Sequence, residues 1–118
     1  MATFSTHILN AVNGTHFSNI DVKLFRCTKT EKNELIFHEK TDIGGRLKVS
    51  FDLNSELVSD YEVQVFLPSD FNNTTIETIK KNINISYFSM RVSFFEPDIT
   101  YHIPLIISPY GMSCWISR

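Results

Sequence analysis

Tyr101-His102-Ile103-Pro104-Leu105-Ile106-Ile107-Ser108-Pro109-Tyr110-Gly111 is the most apolar stretch of the 118-residue chain. Its first part predicts a buried strand from Tyr101 to Ser108. The turn signal Pro109-Tyr110-Gly111 ends that strand, so residues Met112 to Ser117 are predicted to return as the second arm of a terminal hairpin. His102 lies near the start of the first arm. A buried strand that carries one imidazole can anchor a site, and we expect the rest of the chain to form a sandwich around it.

Six other segments alternate apolar and polar residues, as half-buried strands do. Glycine, asparagine and proline signals separate them, and with the hairpin they give about eight strands. This spacing predicts a mainly β fold, a two-sheet β-sandwich. The six segments are Phe4 to Val12, Ile20 to Arg26, Glu34 to Thr41, Arg46 to Phe51, Tyr61 to Leu67 and Tyr87 to Phe95.

One segment has the period of a helix rather than that of a strand. Thr74 and Glu77 have the spacing of a capping box, and Ile76, Ile79 and Ile83 recur at three and four residues. We predict one short amphipathic helix here.

Composition limits the classes of protein and of partner. Apolar residues make up 42% of the chain and charged residues 20%, which is typical of a globular domain, and we expect residues 1–118 to form a single domain. The net charge of −2 argues against binding to nucleic acid or to an anionic membrane. We see no signal peptide and no apolar run of about 20 residues, so a cytoplasmic location is expected. Cys27 and Cys114 are then predicted to be free thiols.

Taken one at a time, the candidate catalytic residues have ordinary structural explanations. The four histidines are too scattered for a local pair of metal ligands, and there is no glycine-rich phosphate loop, so neither a metal nor another cofactor is expected. His7 and His102 lie in predicted strands, where most histidines are structural. Arg46 opens a strand after a turn, where arginines are usually solvated. Cys114 is more typical of a buried thiol than of a nucleophile.

Three motifs change this interpretation when they are considered together. Ser5-Thr6-His7-Ile8-Leu9-Asn10 resembles the opening Ser-Thr-His-Val-Leu-Asp of the 5-hydroxyisourate hydrolases, the transthyretin-related enzymes. Thr41-Asp42-Ile43-Gly44-Gly45-Arg46 resembles their Thr-x-x-Asp-Gly-Arg turn. The stretch from Tyr101 to Pro109 is similar to their Tyr-His-Val-Pro-Leu-Leu-Leu-Ser-Pro signature. The three motifs occur in the same order and with similar spacing.

The resemblance implies a fold, an assembly and a reaction. It implies a transthyretin-like β-sandwich that forms a homotetramer, a dimer of dimers, with active sites in the channel between dimers. The reaction would open the ring of the small molecule 5-hydroxyisourate, after urate oxidation in purine degradation, without a cofactor. The catalytic residues of the family fall on His7, Arg46 and His102. Imidazoles suit acid–base work near pH 7, and a guanidinium can bind a carbonyl and its developing oxyanion.

The C-terminal tail departs from the enzymes that the chain resembles. They end in Tyr-Arg-Gly-Ser, whereas this chain ends in Trp115-Ile116-Ser117-Arg118. Trp115 keeps an aromatic ring at the start of this tail, and we expect it to contact the substrate. The altered tail is expected to weaken activity. The alternative that stays open is a non-catalytic, transthyretin-like protein that binds a small ligand.

Overall fold

The computed structural model describes residues 1–28, 32–53, 59–71 and 85–117, with Ser59 described through its backbone alone. Within these ranges the protein consists of strands and their connections, and there is no helix that could cross a membrane. The helix predicted from Thr74 to Ile83 lies outside the described residues. The strands are β1 (Ala2–Asn10), β2 (Thr15–His16), β3 (Asp21–Arg26), β4 (Glu34–Lys40), β5 (Arg46–Phe51), β6 (Ser59–Phe66), β7 (Tyr87–Phe94), β8 (Thr100–His102), β9 (Leu105–Ser108) and β10 (Gly111–Cys114).

Strand β1 is the centre of the larger sheet, because other strands pair along both of its edges. On one edge it runs antiparallel to β5 and then to β2. On the other edge it runs parallel to β8 and then to β9. Strand β10 pairs with β9 and completes this six-stranded sheet, while the second sheet has the antiparallel order β4-β3-β6-β7. The predicted two-sheet β-sandwich is confirmed.

The core lies between the two sheets, and the alternation of residues decides which side chains enter it. Even-numbered residues of β1 from Ala2 to Ile8 are buried, so its odd-numbered residues lie on the opposite surface. We call this surface of the six-stranded sheet the outer face. Inside, aromatic rings connect the two sheets: the ring centroids of Phe94 and Tyr101 are 4.3 Å apart, and those of Phe51 and Tyr61 are 5.6 Å apart. Such pairs contribute roughly 0.5–1.5 kcal/mol each beyond the burial of their area.

The prediction of one continuous strand from Tyr101 to Ser108 is wrong. Strand β8 ends at His102 and β9 begins at Leu105, because Pro104 has no backbone N–H to continue the ladder. The buried hydroxyl of Thr6 donates to the carbonyl of Ile103 at 2.6 Å and satisfies that group within the break. The chain therefore pairs with β1 on both sides of a short interruption.

Two further differences from the sequence prediction bear on the site. The two-residue strand β2 was not predicted, since a pair of residues carries no periodic signal. The last predicted strand, Met112 to Ser117, is instead β10, and after it a single bridge joins Ser117 to His102. This bridge brings the C-terminal tail beside β8.

Candidate functional site

The three residues singled out by sequence lie on three adjacent strands. Across the β1–β5 pair His7 is opposite Arg46, and across the β1–β8 pair Ser5 is opposite His102. Directly opposed residues project from the same face of a sheet, so His7, Arg46 and His102 share the outer face. His7 and His102 are then diagonal neighbours, a relation in which Cα atoms are about 7–8 Å apart. The fold therefore brings two imidazoles and one guanidinium into one region.

A tight turn fixes Arg46 as the first residue of β5. The Asp42 carboxylate accepts hydrogen bonds from the backbone N–H groups of Gly44 and Arg46, each at 2.9 Å. The backbone N–H of Asp42 donates to the carbonyl of Arg46 at 2.8 Å. Gly45 takes a φ of +72°, a conformation that glycine adopts without steric cost. The turn thus holds Arg46 opposite His7.

His102 is half-buried and has a polar partner that the sequence did not indicate. Its Nδ1 lies 3.0 Å from the Oγ of Ser5, its neighbour on β1. A hydrogen bond at Nδ1 orients the ring and leaves Nε2 for a substrate or a water molecule. Ser5 is the first residue of the motif that contains His7, but only the strand register shows that it contacts His102.

A fourth residue, His16, also belongs to this region and was dismissed at the sequence level. Strand β2 places it beside the end of β1, opposite Leu9. Its Nδ1 is 3.0 Å from the Nε2 of His7, and the two ring centroids are 5.1 Å apart. Nine residues separate the two histidines in sequence. The signal that could have found the pair is the hairpin at Asn13-Gly14, which folds the chain back along β1.

The surroundings of His7 lower its pKa below the ordinary value. Burial is the largest cause, and the positive charge of Arg46 and interactions with His16 and His102 act in the same direction. A hydrogen bond to the backbone carbonyl of Gly44 opposes them by stabilising the imidazolium. The net effect keeps His7 neutral at neutral pH, which is the state that can accept a proton.

A groove of about 520 Å³ opens next to Arg46. Ser5, Asp42 and Lys48 also line it, and Lys48 lies directly opposite Ser5 across the β1–β5 pair. Lys40 of β4 lines the groove as well, so three cationic side chains, those of Arg46, Lys48 and Lys40, border it. This arrangement suits a ligand that is rich in carbonyl oxygens or carries negative charge.

The C-terminal tail runs beside the break between β8 and β9. The backbone N–H of Trp115 faces the carbonyl of Pro104 at 3.4 Å, and that of Ser117 donates to the carbonyl of His102 at 2.8 Å. The side chain of Trp115 is 48% exposed, and that of Ile116 is 53% exposed. An apolar tail thus lies next to His102, while Arg118 is outside the described residues.

Among the described residues, the other chemistry-bearing side chains are not assembled into a second centre of this kind. Within the ranges that the structure describes, no three His, Cys, Asp or Glu residues are grouped to hold a metal ion. Cys27 and Cys114 are free thiols, and burial is the largest cause that raises the pKa of each. A raised pKa leaves little thiolate at neutral pH, which makes either a weak nucleophile. His38 lies in the other sheet and contacts Asp21 at 2.9 Å.

Comparison with known proteins adds a family and several relatives. The sequence model described as the HIUase/Transthyretin family matches residues 4–116. A 5-hydroxyisourate hydrolase of Pseudomonas aeruginosa is 24% identical over 115 residues, which cover 98% of this chain and 90% of that protein. This relative is similar over nearly its whole length.

Solved structures share the fold at low sequence identity. The 5-hydroxyisourate hydrolase of Klebsiella pneumoniae has a TM-score of 0.69 at 22% identity, with 98% of this chain and 99% of that chain covered. Sea bream transthyretin in complex with thyroxine has a TM-score of 0.73 at 17% identity, with 97% of this chain and 93% of that chain covered. An (S)-allantoin synthase has a TM-score of 0.74 at 22% identity; it covers 99% of this chain, which spans only 44% of that chain. The likeness establishes a transthyretin-like β-sandwich.

Proposed function

The chain belongs to the HIUase/Transthyretin family, and from that premise we propose that it is a hydrolase that opens the ring of 5-hydroxyisourate in urate degradation. Residues 1–118 would act as a single domain, in the cytoplasm and without a cofactor. The observation that carries the proposal is the grouping of His7, Arg46 and His102 on three adjacent strands of the outer face. A hydrolase relative similar over 90% of its length supports the same reaction class.

The proposed mechanism assigns a separate task to each of these groups. Neutral His7 takes a proton from water, and the hydroxide adds to the ring carbonyl of the substrate. The Arg46 guanidinium donates hydrogen bonds to the carbonyl oxygen and stabilises its developing negative charge. His102, oriented through Ser5, delivers a proton to the departing ring nitrogen. Trp115 would form an aromatic wall beside the substrate.

The decisive experiment follows the decay of freshly generated 5-hydroxyisourate with and without the purified protein. We expect acceleration over buffer, and a loss of roughly 10²-fold or more in kcat/KM for His102→Ala and for Arg46→Ala. His38→Ala is the matched control, because His38 is a half-exposed histidine that pairs with Asp21 in the other sheet. No acceleration by the folded wild-type protein would rule the proposal out.

A second candidate function is binding of an aromatic ligand without catalysis. The exposed indole of Trp115 and the adjoining Ile116 make the tail next to His102 apolar, and a transthyretin of the same fold is in complex with thyroxine. Titration with thyroxine, followed through Trp115 fluorescence, tests this candidate. Saturable binding that His102→Ala leaves unchanged, in a protein without hydrolase activity, would favour it over the hydrolase.

Assembly is part of the proposal as well. We propose a homotetramer, a dimer of dimers, in which the outer faces line the channel and hold the small-molecule substrate. Exposed apolar side chains on this part of the molecule support it: Ile106 lies on the outer face opposite Leu9, and Trp115 and Ile116 follow in the tail. Apolar surface of this kind commonly becomes buried between subunits.

A further inference from the structure

His16 is held in place on both sides, although its side chain is exposed. Before it, the Asn13 side chain accepts hydrogen bonds from the backbone N–H and the hydroxyl of Thr15, at 3.0 and 2.7 Å. After it, the backbone N–H of Phe17 donates to the carbonyl of Ile8 at 2.9 Å. The bond from Phe17 ties the chain after β2 to the end of β1, and the bonds to Asn13 fix the turn before β2. The contact between the two imidazoles therefore rests on a fixed backbone.

Two polar contacts of His7 bear on which of its ring nitrogens carries the proton. Its Nε2 faces His16, so we assign the bond to the Gly44 carbonyl to the other ring nitrogen, Nδ1. A carbonyl only accepts, so Nδ1 carries the proton and Nε2 of the neutral ring carries a lone pair. The partner at 3.0 Å must then donate, which requires a proton on the Nδ1 of His16. Its own Nε2 is left for solvent.

We propose that His16 is a positioning residue for His7: its Nδ1–H group donates to the lone pair of His7 Nε2 and, together with the Gly44 carbonyl, holds the ring in one neutral tautomer and one orientation. This inference rests on the proposed function only for its effect on catalysis, since the contact itself exists in the free protein. When a water molecule displaces the His16 donor, it meets a single basic nitrogen, Nε2, because Nδ1 keeps its proton. An unheld ring would divide its population between two tautomers and several rotamers.

The charges around His7 give the proposal a pH signature. Among the described residues, those that act on its charge are Arg46 from β5, His16 from β2 and His102 from β8, and all three disfavour the imidazolium. Burial, the largest cause, acts in the same direction, and the His16 ring lies beside the His7 ring with centroids 5.1 Å apart. Removal of His16 should therefore raise the pKa of His7 and move the acid limb of the kcat/KM profile to higher pH.

The experiment compares three proteins: the wild type, His16→Ala and His16→Asn. The asparagine amide can place an N–H donor near the position of His16 Nδ1 but cannot titrate. Long-range ¹H–¹⁵N spectra of histidine-labelled protein report the tautomer and the titration of His7 without any substrate. We expect the Nδ1–H tautomer in the wild type and in His16→Asn. In His16→Ala we expect a mixture of tautomers and a titration at higher pH.

Activity supplies the second measurement. For His16→Ala we expect kcat/KM to fall about three- to tenfold near pH 6 and less near pH 8, well short of the ~10²–10⁴-fold loss expected for an acid–base group itself. His16→Asn should recover most of that loss. If the tautomer of His7, its titration and the acid limb are all unchanged in His16→Ala, the inference is overturned. An inactive wild type would defeat the proposed function, whereas the spectra would still decide the role of His16.

Discussion

Gly45 connects the turn before β5 to the end of β1 through very close packing. A Cβ at this position would lie 2.6 Å from the carbonyl oxygen of Ile8 and 3.0 Å from the backbone nitrogen of Phe17. The Gly45 carbonyl also accepts a hydrogen bond from the N–H of Ile8 at 2.8 Å. Both the positive φ and the missing side chain are therefore needed. Gly45 therefore acts with the hydrogen bonds of Asp42 to place Arg46 opposite His7.

Alanine substitution at three glycines separates these two requirements. Gly45→Ala should lower the free energy of unfolding by about 2–5 kcal/mol, because it adds a left-handed residue with a Cβ (about 1–2 kcal/mol) and an overpacked contact (about 1–3 kcal/mol). Gly14→Ala should cost only the part that comes from the left-handed backbone conformation. Gly14 has a φ of +73°, but no atom lies within 4 Å of its Cβ position. Urea denaturation measures both values.

Gly44→Ala completes the series as a control. Gly44 has neither a positive φ nor a contact shorter than 3.4 Å at its Cβ position, so we expect a change within about 0.5 kcal/mol. Equal losses at all three positions would contradict the role assigned to the close approach at Gly45.

At the scale of the element, the interruption between β8 and β9 shows what periodicity misses. The apolar run from Tyr101 to Ser108 predicted a buried strand, and Tyr101, Ile103, Leu105 and Ile107 are indeed buried. It did not predict two strands, because the break depends on Pro104 and on a hydroxyl donated by Thr6 from a strand 97 residues away. The alternation of β1, β3 and β6 could be predicted because it is encoded locally. Partners that are distant in sequence could not.

Thr6→Val tests the bond that closes this break. Valine has nearly the same shape but leaves the buried carbonyl of Ile103 without the 2.6 Å hydrogen bond, so we expect a loss of about 1–3 kcal/mol in the free energy of unfolding. Thr3→Val is the matched control, since the Thr3 hydroxyl bonds Ser50 on the exposed side of the same strand. A loss no larger than that of the control would show that the break needs no side-chain donor.

The pair β3–β4 should respond to acid through Asp21. Burial, the largest single influence, raises the pKa of this carboxyl, but hydrogen bonds from His38 and Lys40 and their charges together lower it below its usual 3.8. A carboxyl group whose pKa is lower in the folded protein than in the unfolded chain stabilises the fold at pH values above its unfolded pKa. This stabilisation is lost as the pH falls through the folded pKa. We therefore expect Asp21→Asn to destabilise the protein at pH 6 and to lose this effect near pH 2.

Denaturant unfolding of Asp21→Asn and the wild type at several pH values measures this dependence. His38→Gln, which keeps Asp21, should retain part of this pH dependence, because Lys40 still bonds the Asp21 carboxylate at 3.2 Å. A stability difference that stays constant from pH 6 to pH 2 would contradict the assignment.

At the scale of the whole molecule, the candidate site combines residues that sequence could and could not identify. His7, Arg46 and His102 lie within recognisable motifs, so a resemblance was enough to select them. His16 and Ser5 make their contacts only through the register of β2 and β8 against β1. Such register depends on the packing of the whole sandwich and not on any local pattern. The residues that tune a site were therefore harder to predict than those expected to act in it.

The outer face also allows a prediction about assembly. It is polar around Arg46 and His7 and becomes apolar toward Ile106, which is 36% exposed and lies opposite Leu9. If this face is covered in the proposed tetramer, Ile106→Arg places a charge in the contact without disturbing the core of the subunit. Light scattering should give about four times the chain mass of 13.6 kDa for the wild type and a smaller multiple for the variant.

Leu35→Arg provides the matched control, because Leu35 is a 51% exposed apolar residue on β4 of the other sheet. It should leave the tetramer intact. Trp115, the single tryptophan of the chain, gives an independent readout. Its emission should shift to longer wavelength in Ile106→Arg as the tail becomes exposed to water. The wild type could instead have the mass of a single chain, and Ile106→Arg could leave the Trp115 emission unchanged. These two results together would mean that the outer face is open to solvent. The substrate would then bind on a single subunit.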